Sequence, residues 1–243
     1  MSTVSIIVPV YKGENFLESF VPRMNSMIIF PDETDFTFVL NDEEPESYSH
    51  KLLKSIDCKK QFLFVPREPV YCSWNRAIKE SSGEYLCNFN IDDYHFPRAI
   101  QKQKEMLDEN SEFDLAYGQF KIIHEPLTTG FFKGLCSDYY RYNTDYRVTE
   151  LSYRHRVGPC PMWRRKIHDE LGYFDESFKC SGDHHFWVKM LNAGKRFLYT
   201  TQLTCLYYDH ENTITRKTNK GVNANLGHLE DDRIFVEFGE KWQ

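Results

Sequence analysis

No run in the 243 residues approaches the roughly 20 apolar positions that a membrane helix needs. No span is therefore expected, and only peripheral contact with a membrane stays open. Closely paired cysteines are also missing. The seven stand at 58, 72, 87, 136, 160, 180 and 205 with no C-x-x-C among them, so neither a zinc knuckle nor a disulfide framework is indicated, and they read as reduced, mostly buried thiols. Positive charge is in deficit: 30 Lys and Arg against 36 Asp and Glu leave −6. That argues against a nucleic-acid partner, although single phosphates could still bind locally. Neither G-x-G-x-x-G nor G-x-x-x-x-G-K-[ST] occurs, which removes the dinucleotide fingerprint and the P-loop. The opening SIIVPV is too short for a signal core and lacks basic flanks. The expected location is cytoplasmic, with the inner face of a membrane as the variant.

What is present suits a single large globular domain: 41% hydrophobic residues, 16% of the chain aromatic. VSIIVPV (4–10), FTFVL (36–40), QFLFV (61–65) and EYLCNFN (84–90) read as strands buried on both faces. Helical stretches fall between them: ENFLESFVPRMNSMI with an interruption at Pro22, SHKLLKSI, and CSWNRAIKESSG with Gly83 as its C-cap. Strand and helix alternating in this way predict an α/β fold with a mainly parallel central sheet flanked by helices. A helix at PRAIQKQKEMLDEN and a strand at FDLAYGQFKII follow. Residues 124–150, rich in Tyr, Phe, Gly and Asp, read as a long functional or mobile loop. RHRVGPCPMWRRKIHDELGYFDESF reads as turn, helix and turn. SGDHHFWVKMLNAG is a helix capped by Ser181 and ended by Gly194, KRFLYTTQLTCLYYDH is mostly strand, and EDDRIFVEFGEKW closes the chain as a helix.

Ligands of such sheets sit beyond the carboxyl ends of the strands. Those ends carry Pro9-Val10-Tyr11, Asn41-Asp42, Pro66-Arg67 and Asp92-Asp93. Two adjacent carboxylates leaving a buried strand call for a cation or several donors. Either Asp93 caps the helix starting near Pro97, or the pair holds a hard divalent cation that bridges phosphates. Asp183 opens a helix, as a first-turn charge favoured by the dipole or as a working carboxylate. His210, where the last strand ends, is a structural imidazole or a ligand. Arg154, His155, Arg156, Arg164, Arg165 and Lys166 form a basic cluster that is either solvated or phosphate-binding.

The ordered set SIIVPVYKGENFL, VLNDEEPES, SWNRAIKESSGEYLCNFNIDDYHFP, PMWRRKIHDELGYFDESF, SGDHHFWVKML and YYDHENTITR resembles the family-2 glycosyltransferases of the GT-A fold, over residues 4 to 216. The resemblance implies an inverting transferase that uses a UDP- or GDP-linked sugar donor, Mn²⁺ or Mg²⁺, and a glycan or glycoconjugate acceptor. It implies a single domain over 1–243, with a nucleotide-sugar-binding half (1–100), an acceptor and catalytic half (101–215) and a C-terminal extension (216–243). It implies that Pro9, Val10 and Tyr11 cradle the base, that Asp42 bonds it, and that Arg67 and Asn75 belong to the same donor site. Asp92 would lie near the ribose, Asp93 with Asp92 and His210 would hold the metal, and Asp183 would be the catalytic base. Trp163, His184 and Trp187 would lie on the acceptor side. The chain departs from the pattern at Asn90 and Asn41, where aspartates are common, at EEPES in place of G-S-T-D, and at Asp209, where an arginine is frequent. The rival readings are a nucleotidyltransferase, which a Gly-rich basic N-terminal loop would mark, and an inactive sugar-nucleotide-binding module.

Overall fold

The structure is a computed structural model that describes residues 3–28, 31–125, 137–139, 157–214, 216 and 226–239. β1 (Val4–Val10), β2 (Thr34–Asn41), β3 (Lys59–Val65) and β4 (Tyr85–Asn88) alternate with α1 (Glu14–Met27), α2 (Tyr48–Lys54) and α3 (Val70–Glu80). After β4 come the short β5 (Tyr94–His95), α4 (Pro97–Glu109), β6 (Leu115–Ile123) and β7 (Ser137–Tyr139). β8 (Met162–Arg164), α5 (Ile167–Leu171), α6 (Gly182–Asn192), β9 (Phe197–Tyr208) and α7 (Leu226–Gly239) complete the order. The strands form one sheet in the order β3-β2-β1-β4-β8-β6-β9-β5, with β7 beside β6.

The both-face burial expected of β1 is what makes this a three-layer fold. Val4, Ile6, Val8 and Val10 face one core with Leu17, Phe20 and Met24 of α1, Leu53 of α2 and Leu107 of α4. Ile7 faces the other core with Trp74 and Ile78 of α3, Phe186 and Val188 of α6 and Ile234 of α7. This is the period-2 alternation of a strand with apolar residues on both faces.

Strand directions decide where the site can form. β1 runs parallel to β2 and β4, and β2 parallel to β3. β8 is antiparallel to both β4 and β6, so β6 runs with β4, and β9 is parallel to β6. Six strand ends therefore share one rim: those of β1, β2, β3, β4, β6 and β9.

Four local expectations change. α1 continues through Pro22, because the one backbone bond that proline forfeits is outweighed by burial of Val21 and Met24 on either side. α3 ends at Glu80 with Ser81 as its C-cap, and Gly83 serves close packing instead: a Cβ there would stand 2.6 Å from the Ser5 nitrogen. Residues 162–164 form a strand where a turn and helix were expected, since all three side chains are buried between β4 and β6. Ser181 flanks α6 without a side-chain cap bond.

Candidate active site

The turn after β4 places Asp92 and Asp93 at the rim, and the two carboxylates part company there. Asp93 is 1% exposed. Its Oδ1 accepts from the Tyr208 N–H at 3.0 Å and its Oδ2 from the Asn90 amide at 3.0 Å. Burial first, and then the neighbouring Asp92 charge, push the Asp93 carboxyl well above the ordinary carboxylate range. Asp93 therefore splices the β4 turn to the end of β9 and does not cap α4, whose N-cap Phe96 carries no side-chain bond. Asp92 stays partly open, and its Oδ2 lies 3.1 Å from His210 Nε2. The two ends that Asp93 joins are the ends that carry Asp92 and His210.

That pair supplies one carboxylate oxygen and one imidazole nitrogen from two strand ends, a donor set that fits Mn²⁺ or Mg²⁺. His210 Nδ1 accepts from the Asn212 N–H at 3.3 Å, which puts the imidazole proton on Nε2, facing Asp92. A metal held through Nε2 would require the proton on Nδ1, at the cost of the long Asn212 contact. Phe16 and Tyr208 hold the imidazole ring at centroid distances of 5.4 and 4.8 Å.

A second group forms where β1, β2 and β3 end. The Arg67 guanidinium lies 4.5 Å over the Tyr11 ring, and the Arg67 N–H donates to Asp42 Oδ1 at 2.8 Å. Lys12 and Asp42 both take positive φ, 49° and 55°, the left-handed region that side chains adopt only when the surroundings hold them there. Buried Asn41 accepts from the Glu68 N–H and donates to Ser73 Oγ, which fixes the loop that carries Arg67. Pro9 and Val10 are backbone of β1 directly beneath Tyr11, with the Val10 side chain in the core. Tyr11, Asp42 and Arg67 are thus brought together.

Asp183 reaches the same rim from the other half of the chain. Its Oδ1 lies 3.1 Å from the Tyr71 hydroxyl, which also lies 2.7 Å from the Cys180 carbonyl oxygen. Tyr71 is in the first turn of α3, directly beyond the end of β3, so this contact locates Asp183 at the rim. Glycine is required at 182: a Cβ there would stand 2.6 Å from the Tyr71 ring. Burial, then the Asp183 charge, push the Tyr71 hydroxyl well up, so it stays a donor.

The start of α6 is also latched from the C-terminal helix. The Glu230 carboxylate of α7 accepts from the N–H groups of Lys179, Cys180 and Ser181 at 2.8, 2.9 and 2.7 Å. The Ser181 N–H is a donor that the helix start leaves unsatisfied, the Lys179 and Cys180 N–H groups lie just before it, and the dipole there favours an anion. Glu230→Ala is expected to cost about 3 kcal/mol, the order for stranding buried donors of a charge-assisted set, with Glu230→Gln in between. Urea unfolding of the three proteins measures this, and a loss below about 0.5 kcal/mol, within the range of an ordinary surface change, would contradict the latch.

Several residues expected at the site are elsewhere. Asn75 is buried and turned away from the rim: its amide donates to the Phe174 carbonyl and Glu176, and its oxygen accepts from the Phe174 N–H. Trp163 and Trp187 are enclosed in the core with their ring centroids 5.2 Å apart, and Trp163 Nε1–H donates to His168. His184 is buried against Asp231 of α7, and His185 pairs with Glu237. None of these offers a surface to an acceptor. Of the basic cluster, buried Arg164 donates to the carbonyls of Phe113 and Leu107 and to the Tyr85 hydroxyl, and Arg165 donates to the Gly83 carbonyl. Arg154, His155 and Arg156 lie outside the described residues, as does the loop 124–150 apart from 124–125 and 137–139. A cation comes instead from Arg216, held by two 2.7 Å bonds to Asp209 beside His210. Sequence reasoning missed Arg216, Tyr71 and Glu230; only the Arg in ENTITR, six residues past His210, was within reach of a local reading.

The family model described as glycosyl transferase family 2 matches residues 5–172. An uncharacterized glycosyltransferase of Rickettsia typhi is 23% identical over 94% of this chain and 68% of its own length. One from Methanocaldococcus jannaschii is 23% identical over 80% of this chain and 66% of its own. Another, from Rickettsia conorii, is longer still, with only 31% of it covered. Among solved structures, S. aureus TarS 1-349 in complex with UDP-GlcNAc superposes with a TM-score of 0.70 at 15% identity, covering 97% of this chain and 71% of that one. The mannosyltransferase PcManGT from Pyrobaculum calidifontis, in complex with GDP-Man and Mn²⁺, gives 0.65 at 12% identity, covering 98% and 73%. These likenesses are of fold, the GT-A arrangement. No described helix is long and apolar enough to cross a membrane.

Proposed function

The chain belongs to glycosyl transferase family 2, and from that premise we propose that it moves a sugar from a nucleoside-diphosphate donor to an acceptor hydroxyl with inversion. The observation that carries this reading is the convergence on one rim of three groups from distant parts of the chain: Tyr11–Arg67–Asp42, Asp92–His210, and Asp183 on Tyr71.

Tyr11 stacks on the base, Asp42 bonds its edge, and Arg67 backs the ring while reaching toward phosphate. Asp92 and His210 would hold the divalent cation, and Asp93 sets the spacing between them. When bound, the cation offsets charge on the diphosphate leaving group. Arg216, carried by Asp209, adds positive charge beside it. Asp183 takes the proton from the acceptor hydroxyl while that oxygen bonds to the anomeric carbon and the bond from that carbon to the diphosphate breaks. The Tyr71 hydroxyl fixes the orientation of the Asp183 carboxylate, and holding donor and acceptor in line contributes the proximity term.

The test is a panel of UDP- and GDP-sugars and nucleoside triphosphates, each with Mn²⁺ and Mg²⁺, read by thermal shift and by product release. One or more diphosphate sugars should stabilise the protein only with metal and should release nucleoside diphosphate. Pyrophosphate released from a triphosphate together with a sugar 1-phosphate would make the chain a nucleotidyltransferase, and stabilisation without release over long incubation would make it a binding module.

A further inference from the structure

Two residues after Asp93, His95 lies in β5, and its register partner across the antiparallel pair is Cys205 of β9. Cys160 enters from the segment before β8. A ring nitrogen of His95 and the sulfurs of Cys160 and Cys205 all lie within 4.8 Å of one another, and the three residues are 1%, 4% and 0% exposed.

Buried cysteines alone are ordinary, since a free thiol behaves as a small hydrophobe. The imidazole is different. Neither His95 Nδ1 nor Nε2 has a hydrogen-bond partner among the described residues, and the ring stacks on Phe89 with centroids 3.6 Å apart. A native interior leaves few polar atoms unmatched, and an unseen ion is one of the few reasons it does. Burial also drives the imidazole down to about 3, so it is neutral and keeps a lone pair to offer. Cys87 of β4 stands close enough for its charge to act on Cys160 and Cys205.

We propose that His95, Cys160 and Cys205 bind a thiolate-preferring divalent cation, Zn²⁺, as a structural site, with Cys87 as the adjacent sulfur. Two sulfurs and an imidazole favour zinc, whereas Asp92 and His210 offer no thiolate and do not share that preference. Binding releases one proton from each thiol, and two thiolates neutralise the dication. The ion therefore adds no net charge to an interior that already holds Arg23, whose cation acts on Asp93, His95 and Cys205. By joining β5, β9 and the approach to β8, it pins the segments that present Asp92 and His210.

The chain, expressed with zinc in the medium and dialysed against EDTA, should retain about one zinc per chain by inductively coupled plasma mass spectrometry, the stoichiometry of a closed structural site. Cys160→Ser and His95→Gln should lose it, and Asp92→Asn should keep it. Wild-type protein refolded with Co²⁺ in place of Zn²⁺ should show tetrahedral d–d bands and a sulfur-to-cobalt charge-transfer band, which decides the matter even where a variant does not fold. No zinc and no cobalt bands, zinc retained by both site variants, or a Cys160–Cys205 disulfide in the purified protein would each overturn the proposal.

Discussion

Turnover of Asp183→Asn is expected to fall by roughly 10² to 10⁴, the range for loss of a general base, with donor affinity nearly unchanged. Asparagine keeps the size of the side chain and an oxygen that can accept from the Tyr71 hydroxyl, now 3.1 Å from Asp183 Oδ1. It cannot take the acceptor's proton. The lost interaction belongs to the transition state, so kcat falls and donor binding does not. If Asp183 were only a first-turn charge at the start of α6, the substitution would cost about 1 kcal/mol of stability or less and leave activity standing. The Glu230 carboxylate already supplies an anion at the start of that helix, which reduces the structural need for the Asp183 charge there. Melting temperature, donor affinity and turnover on one preparation separate the two accounts. A folded Asp183→Asn protein with near-wild-type turnover would remove Asp183 as the base.

Asp92→Ala is expected to weaken metal-dependent nucleotide binding by more than about 100-fold, beyond the 10- to 100-fold typical of a residue that only supports a ligand. Asp93→Asn makes the informative contrast. Asp93 is enclosed and accepts from the Tyr208 N–H, a role an asparagine oxygen can fill, so its metal-dependent binding should stay within roughly that supporting range. Titration of nucleotide with Mn²⁺ and then with EDTA, for both variants, measures the difference. The reverse ranking would return the metal to Asp93 and make Asp92 the support.

The strands of the first half were legible because burial on both faces leaves unbroken apolar runs, and β1 through β4 follow them within a few residues. The rim followed from strand direction alone, and Asp42, Arg67, Asp92 and His210 were found by where strands end. Orientation was not legible. Asn75, Trp163 and Trp187 match motif positions, yet a motif does not say which way a side chain points, and these three point inward. The contacts that decide roles span the chain: Tyr208 to Asp93 across 115 positions, Tyr71 to Asp183 across 112. Three-residue β8 carries no period to read. The spacing of the cysteines gives no sign of the His95–Cys160–Cys205 group, which is assembled by sheet register and not by local sequence.

The central claim is that Asp183 works on the opposite side of the anomeric carbon from the Asp92–His210 pair, in a single displacement. Its most direct test is the anomeric configuration of the first sugar product formed from an α-linked donor, with water or a hydroxyl acceptor, read by proton NMR before mutarotation. The β anomer is the predicted product. An α product formed first would contradict the claim, since it requires two displacements or attack from the leaving-group side.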